Sequence, residues 1–243
     1  MKKSILFCSI ATLLVFTFCK KKDSTPAPAP SGTTTGGTTG GGASNSNMQT
    51  TYMITDYGNT ITTDSIVFAS FYATPPTSVA PTSVSAGTVS LNSTVLNPSN
   101  LPYENPFPMN INIHGSLNWN VTGSGTITAF TYSYLPSYPK YTGGNLLPDT
   151  CIKANGISIQ ISGVSNAPGA SVSVILSQNT TIFKYILGTS GTVTFSAAEL
   201  SSYSTNSPIV ILIMVSNITS ATLGGIKHGF SNSLHYTKYS YLK

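Results

Sequence analysis

Residues 157–161 read Ile-Ser-Ile-Gln-Ile, and residues 117–121 read Leu-Asn-Trp-Asn-Val. In both stretches every second side chain is apolar, so an extended strand has one apolar face and one polar face. This two-residue period is typical of antiparallel strands that are buried on one side only. The alternation therefore predicts β-sheet in this part of the chain.

Similar stretches recur along the chain from residue 48 onward. Residues 209–215, Ile-Val-Ile-Leu-Ile-Met-Val, form an apolar run too short to span a membrane, which predicts a central strand covered on both faces. Glycines and prolines separate the stretches at spacings typical of β-sandwiches, so we expect an all-β, antiparallel sandwich. Further strands are predicted at residues 52–57, 61–72, 88–91, 126–134, 171–177, 181–187, 191–195 and 233–242.

The composition supports a folded core and excludes several classes of protein. Hydrophobic residues make up 40% of the chain and charged residues only 7%, which excludes a highly charged disordered protein. Residues 44–243 contain six lysines and five carboxylates, so the predicted folded part is nearly neutral. All the basic residues are lysine, and the guanidinium fork that reads phosphates and guanine is missing. We expect no nucleic-acid partner.

The N-terminal residues predict export from the cytoplasm. Two lysines precede the apolar run at residues 5–18, whose length lies within the range of about 7–15 residues for the core of a signal peptide. The run is also shorter than the roughly 20 residues needed to span a bilayer. Residues 1–18 are therefore predicted to be a signal peptide.

Cys19 follows the apolar run and precedes three lysines and a low-complexity stretch. This layout resembles a bacterial lipoprotein signal, in which the cysteine is lipidated and becomes the mature N-terminus. Thr17 and Phe18 stand where that signal usually has two small residues. The alternative is an uncleaved or ordinarily cleaved signal in which Cys19 is simply another apolar residue.

Residues 19–47 are predicted to be a lipid anchor followed by a disordered tether. Residues 24–47 contain only Pro, Gly, Ser, Thr, Asn and Ala, so they cannot bury enough apolar surface to offset the entropy of ordering. A flexible chain of these 24 residues has a root-mean-square reach of roughly 27 Å. We expect this tether to hold the folded part clear of lipid headgroups.

The length after the tether allows one large sandwich or two small β units. Residues 135–150 form the best candidate linker, because prolines and glycines are frequent there. We predict two small immunoglobulin-like units, at residues 48–147 and 148–243. One continuous sandwich is the alternative.

Catalytic arrangements are sparse in this sequence. Asp56 and Asp64 flank the turn at Gly58, and a hairpin could bring their carboxylates together for hydrolysis. Cys151 and Lys153 would share one face of a strand, where the ammonium could favour a thiolate. The alternatives are that the two aspartates are ordinary polar residues at a turn and at a strand end, and that Cys151 is a buried, inert thiol.

Metal and cofactor sites are not expected. His114, His228 and His235 have no metal-ligand spacing, and the last two are predicted to lie on the surface. No phosphate-binding glycine motif follows a strand.

Five aromatic residues form the most distinctive group of candidate binding residues. A tyrosine or tryptophan ring offers a flat apolar face and a polar tip, which suits sugars or peptides. We expect Tyr138 and Tyr141, in a proline-containing loop, to be exposed, whereas Trp119 could instead lie between two sheets. The candidate ligand-binding residues are Trp119, Tyr132, Tyr134, Tyr138 and Tyr141.

The signal, the tether and the Ser/Thr/Gly-rich second half, including Gly191–Leu200, resemble small envelope lipoproteins of Gram-negative bacteria. The resemblance implies anchoring to a membrane, at its periplasmic face or at the cell surface, and implies no activity. We therefore expect a non-catalytic protein with an adhesive, binding or structural role, and an envelope protein or a glycan as its partner. A carbohydrate-binding module and a hydrolase are the alternatives.

Overall fold

The computed structural model describes residues 46–73, 83–98, 103–104, 111–167 and 171–243. The predicted signal peptide, Cys19 and nearly all of the predicted tether lie outside these residues. Strands dominate the described part, so the all-β prediction is confirmed. The first strand begins at Ser46, one residue before the predicted end of the tether.

Short 3₁₀ turns at Gly143–Leu146 and Lys153–Asn155 accompany the strands. The strands are β1 (Ser46–Asp56), β2 (Ile61–Phe71), β3 (Val89–Leu91), β4 (Thr94–Val95), β5 (Tyr103–Glu104), β6 (Leu117–Val121), β7 (Phe130–Tyr134), β8 (Lys140–Tyr141), β9 (Thr150–Cys151), β10 (Ile157–Ile161), β11 (Val164–Ser165), β12 (Ser171–Ser177), β13 (Thr181–Leu187), β14 (Gly191–Phe195), β15 (Ser207–Leu223) and β16 (Ile226–Leu242).

One large sheet organises the molecule. Its strand order is β13-β12-β15-β16-β1-β2-β5, and β9 also pairs with β16. The pairings of β16 with β1 and with β9 are parallel, so this sheet is mixed rather than purely antiparallel. An alternating sequence predicts that a strand has a buried face, but it does not specify which distant strand lies beside it.

The two longest strands, β15 and β16, form a hairpin at the centre of this sheet. Gly224 and Gly225 connect them with φ values of +57° and +78°. Two consecutive residues with positive φ are the geometry of a tight two-residue hairpin turn, which glycine adopts without steric cost. The predicted central strand at residues 209–215 is therefore part of a strand that is more than twice as long.

Two smaller sheets pack on one face of the large sheet, which we call the inner face. The first is β4-β3-β6-β7 and the second is β10-β14, while β8 and β11 pair in a separate two-stranded sheet. Residues that lie opposite each other on paired strands point to the same side, so the pairings place Met48, Phe230, Leu234, Ile213 and Val174 on this inner face. All five belong to the hydrophobic core.

The core consists of two hydrophobic clusters under the two smaller sheets. One cluster includes Trp119, Phe71 and Phe230, and the other includes Phe195 and Ile211. One continuous sheet underlies both clusters, because β1 from the first half pairs with β16 from the second. The division into units at residues 48–147 and 148–243 stays a prediction.

The opposite, outer face of the large sheet is only partly covered. On β15, Ile209, Ile211 and Ile213 are buried, whereas Val210 and Leu212 between them are half-buried. The expectation that both faces of this strand are covered is therefore wrong. The smaller sheets cover the inner face, and the outer face retains apolar side chains in contact with solvent.

Candidate functional site

The five aromatic residues chosen from the sequence do not form one exposed surface. Trp119 lies in the core with only 1% of its surface exposed. This agrees with the alternative prediction that Trp119 lies between two sheets. Tyr141 is also buried, in the other hydrophobic cluster, where its ring meets the edge of the Tyr236 ring at 5.3 Å. Tyr138 is half-buried. The predicted exposure of Tyr138 and Tyr141 is therefore wrong, because the segment that carries them, which ends in strand β8, folds against the large sheet.

A chain of hydrogen bonds explains the position of Tyr138. Its hydroxyl donates to Thr50 Oγ1 at 2.6 Å, and Thr50 in turn donates to Asn232 Oδ1 at 3.0 Å. The Tyr134 hydroxyl donates to the same Asn232 oxygen at 3.0 Å. Burial raises the pKa of Tyr138 to about 12, and it also raises the pKa of Tyr134. These phenols therefore stay neutral and join β7 and its following loop to β1 and β16.

Tyr132 and Tyr134 also pack on the large sheet through their rings. The two rings stack at 5.4 Å, and Tyr132 lies 4.4 Å from the Phe230 ring. Such contacts stabilise the junction between sheets and leave less of each ring for a ligand. The glycan-binding hypothesis stays a prediction, and most of its candidate residues pack against other side chains of the protein.

Four charged or phenolic side chains form a cluster at the end of β16. Lys238 Nζ lies 2.7 Å from Asp149 Oδ1 and 3.5 Å from Asp56 Oδ2. The Tyr236 hydroxyl donates to Asp56 Oδ2 at 3.0 Å, and the Gly58 N–H donates to Asp56 Oδ1 at 2.7 Å. Asp56 and Lys238 are buried, whereas Asp149 is exposed. A buried carboxylate with this many partners is compensated, so the cluster serves packing between β1 and β16.

The pKa values in this cluster follow from its contacts. Burial alone raises the pKa of Asp56, but the Gly58 N–H, the Tyr236 hydroxyl and the Lys238 ammonium together lower it below its usual range. Burial likewise lowers the pKa of Lys238, and the two carboxylates raise it above its usual range. Both groups therefore stay charged near neutral pH.

The predicted convergence of Asp56 and Asp64 is wrong. In the β1–β2 hairpin, Asp56 lies opposite Ile61 and Asp64 lies opposite Met53. Opposite residues share a face, and Met53 is three residues from Asp56, so the two carboxylates point to opposite faces of the hairpin. Asp64 is exposed, whereas Asp56 turns inward to Lys238.

Cys151 and Lys153 do not share a strand face, because the chain leaves β9 after Cys151 and Lys153 begins a 3₁₀ turn. The Lys153 ammonium donates to the carbonyl oxygens of Ser201 and Tyr203, at 3.0 and 2.8 Å. Burial raises the pKa of the Cys151 thiol to about 11, the opposite of the shift that makes a thiol reactive. A cleft of about 210 Å³ beside this thiol is smaller than most ligand pockets, which hold roughly 300–1,000 Å³.

The predicted surface position of His228 is wrong, and His235 is half-buried. His228 is buried, and its Nδ1 atom lies 2.8 Å from Ser46 Oγ. His235 lies on the outer face between Met53 and Met214, and burial lowers its pKa to about 4. Both histidines lie on β16, whose central place in the sheet was not apparent from the sequence. Among the described residues, no three His, Cys, Asp or Glu side chains come together as metal ligands.

Strand β13 carries the most exposed apolar group. Phe183, Tyr185 and Leu187 alternate along it on the outer face and expose 41%, 62% and 75% of their surface. Phe183 lies opposite Ile175 of β12, and Ile175 lies opposite Leu212 of β15, so a transverse apolar row continues inward. We call Phe183, Tyr185, Leu187, Leu212 and Met214 the β13 patch; Ile175, which lies between them, is buried.

The sequence of β13 itself indicates this patch. Residues 181–187, Thr-Ile-Phe-Lys-Tyr-Ile-Leu, hold apolar side chains on both faces of a strand. Ile182 and Ile186 face inward and pack against the core, which leaves the other apolar set outside. A strand that is apolar on both faces requires a second covering layer, and among the described residues none covers this one.

No protein-family model matches the chain, and no curated protein matches it either. Within the described residues, no helix has the length and apolar character needed to cross a membrane.

Proposed function

We propose that this protein is a lipid-anchored component of the bacterial cell envelope that acts by binding rather than by catalysis, and that it binds through the β13 patch. The anchor would be Cys19, followed by the tether, with the folded part beginning at Ser46. The role is adhesive or structural.

The exposure of the β13 patch is the observation that supports the binding role. Contiguous apolar surface on a soluble domain commonly marks an interaction site. The aromatic side chains Phe183 and Tyr185 are of the kinds enriched at protein interfaces. The patch also lies at an edge of the large sheet, where its strand is accessible from the side.

Location and binding need separate tests. For location, mass spectrometry of the mature protein should find an acylated N-terminal cysteine at Cys19. The Cys19→Ala variant should move the protein from the membrane fraction to the soluble fraction. A protein that lacks the acyl group and is soluble in both forms would contradict the anchoring.

For binding, hydroxyl-radical footprinting should compare intact envelopes with dilute purified protein. Tyr185 and Leu187 should be oxidised less in envelopes, by about threefold or more. Leu135 and Ile152, which expose 77% and 52% of their surface away from β13, provide the control. Equal oxidation of Tyr185 and Leu187 in both samples would contradict a binding role for the patch.

A further inference from the structure

Strand β13 lies at the end of the large sheet, and among the described strands only β12 pairs with it. All seven of its residues pair with β12 in an unbroken register, so the strand has no bulge. It also contains no proline. Bulges, prolines and outward charges are the usual devices that prevent another strand from pairing with a sheet edge.

The single charge on this strand is already compensated. Lys184 Nζ lies 2.7 Å from Glu199 Oε1 and donates to the Thr194 carbonyl oxygen at 2.6 Å. The same nitrogen lies 5.2 Å from the centre of the Phe195 ring, so the side chain folds toward the inner side. It therefore does not project outward to block the edge.

We propose that β13 pairs with β13 of a second copy of this chain, antiparallel and about a two-fold axis at Lys184, joining two large sheets into one. This inference rests on the proposed function, because the β13 patch is its contact surface. An isologous two-fold pairing of one surface with itself is the commonest arrangement of protein dimers.

The sequence of β13 is self-complementary in this register. An axis at Lys184 is the one that pairs all seven residues. Thr181 of each copy then lies opposite Leu187 of the other copy, and the residues between them pair in order. On the outer face it places Phe183 opposite Tyr185 twice. On the inner face it places Ile182 opposite Ile186 twice. Aromatic and β-branched cross-strand pairs are among the favourable ones.

The charges also permit this pairing. The two Lys184 side chains would lie opposite each other, where like charges are normally unfavourable. Each copy brings its own Glu199 at 2.7 Å, so each lysine enters the interface as part of a neutral pair. The folded part of the chain is nearly neutral as well, so two copies do not repel each other at long range.

A single added strand is a small interface, and anchoring would help it form. Stable interfaces usually bury more than about 1,200 Å² in total. Two chains held in one membrane plane meet at a high effective concentration, which strengthens a weak contact without adding any new one. The pairing is therefore best tested in the envelope.

The register can be tested by cross-linking in intact envelopes with a short bifunctional maleimide. In Lys184→Cys, the two thiols would lie on the axis, within about 6 Å of each other. In Leu187→Cys, they would lie about 20 Å apart, because six residues separate the two positions along the paired strands. We expect a dimer band with Lys184→Cys and at least tenfold less with Leu187→Cys.

A second measurement keeps the test independent of the loss of the Lys184 ion pair. Light scattering on the purified chain should give a concentration-dependent dimer, and Tyr185→Lys should weaken dimerisation at least tenfold. Ile218→Lys is the matched control, because Ile218 is also exposed on the outer face but lies on β15, beyond the end of its pairing with β12.

The outcomes separate the two proposals. Envelope-bound protein that gives no Lys184→Cys dimer, or equal bands with both cysteines, overturns the β13 pairing and leaves the proposed function standing. Protein found outside the envelope contradicts the proposed anchoring. A purified chain that stays monomeric at high concentration and gives no cross-link overturns the pairing as well.

Discussion

Asp56 and Lys238 are direct neighbours across the parallel pairing of β1 and β16, although 182 residues separate them in the sequence. Their pair joins the first described strand to the last one. Because both side chains are buried, removal of one leaves a buried charge without its partner.

The first prediction concerns this ion pair. Lys238→Met should lower the free energy of unfolding by about 3 kcal/mol, because Asp56 would stay buried without a positively charged partner and would keep only the hydrogen bonds from the Gly58 N–H and the Tyr236 hydroxyl. Asp149→Asn is the control: Asp149 is exposed, so its loss should cost at most about 1 kcal/mol. Urea unfolding measures both, and equal losses would contradict the buried role of Asp56.

The pH dependence of this pair has a defined sign. The pKa of Asp56 is lowered in the folded state, so its contribution is complete above its ordinary value of 3.8 and is lost as the pH falls through the folded value. The pKa of Lys238 is raised, so its contribution is complete below 10.5 and is lost as the pH rises through the folded value. Unfolding followed from pH 2 to pH 12 should show both losses, and Lys238→Met should reduce the alkaline one without abolishing it, because the buried tyrosines, whose pKa values are also raised, contribute to it.

The second prediction concerns His235 and mild acid. Burial lowers the pKa of His235 to about 4, against 6.5 for an ordinary histidine, so the folded state favours the neutral ring. Stability should fall by about 2 kcal/mol between pH 7 and pH 4.5, because the unfolded chain binds a proton that the folded chain does not. His235→Leu should flatten this part of the profile, and an unchanged slope in the variant would assign the effect to another group.

The third prediction distinguishes packing from ligand binding at the aromatic residues. Tyr138→Phe should cost about 1 kcal/mol through loss of the hydrogen bond to Thr50. Trp119→Ala should cost about 3–5 kcal/mol, because it creates a cavity in the core. Tyr185→Phe, on an exposed ring, should stay within about 0.5 kcal/mol of the parent chain. Thermal unfolding checks all three, and a Tyr138→Phe variant as stable as the parent would argue that the hydroxyl is free for a ligand.

The fourth prediction concerns two glycines that differ in their surroundings. Gly144 is buried, and a β-carbon there would collide with the ring and hydroxyl of Tyr236. Gly144→Ala should therefore destabilise the protein by about 1–3 kcal/mol. At Gly115, a β-carbon would have no atom within 4 Å, so Gly115→Ala should cost nothing or stabilise slightly. If the two variants unfold at the same denaturant concentration, the close contact between Gly144 and Tyr236 is wrong.

The functional residues were harder to predict than the strands. For Trp119, the alternative of a core position is confirmed, because a single tryptophan in a β-sandwich usually lies between the sheets. The sequence predicts exposure for Tyr138 and Tyr141 because they lie in a proline-containing loop, and loops normally lie on the surface. Their hydroxyl and ring contacts involve Thr50 and Tyr236, which are far away in the sequence. The sequence around Tyr138 and Tyr141 does not indicate these partners.

The two-residue alternation of stretches such as 117–121 and 157–161 was sufficient to determine an all-β protein and the limits of these two strands, because the period depends only on neighbouring residues. The tertiary structure alone decided that β1 lies parallel to β16, that Asp56 meets Lys238, and that β13 forms an edge with Phe183 and Tyr185 exposed. Strand pairing joins residues from opposite ends of the chain. A side chain is therefore buried or exposed according to strands that its own neighbours do not specify.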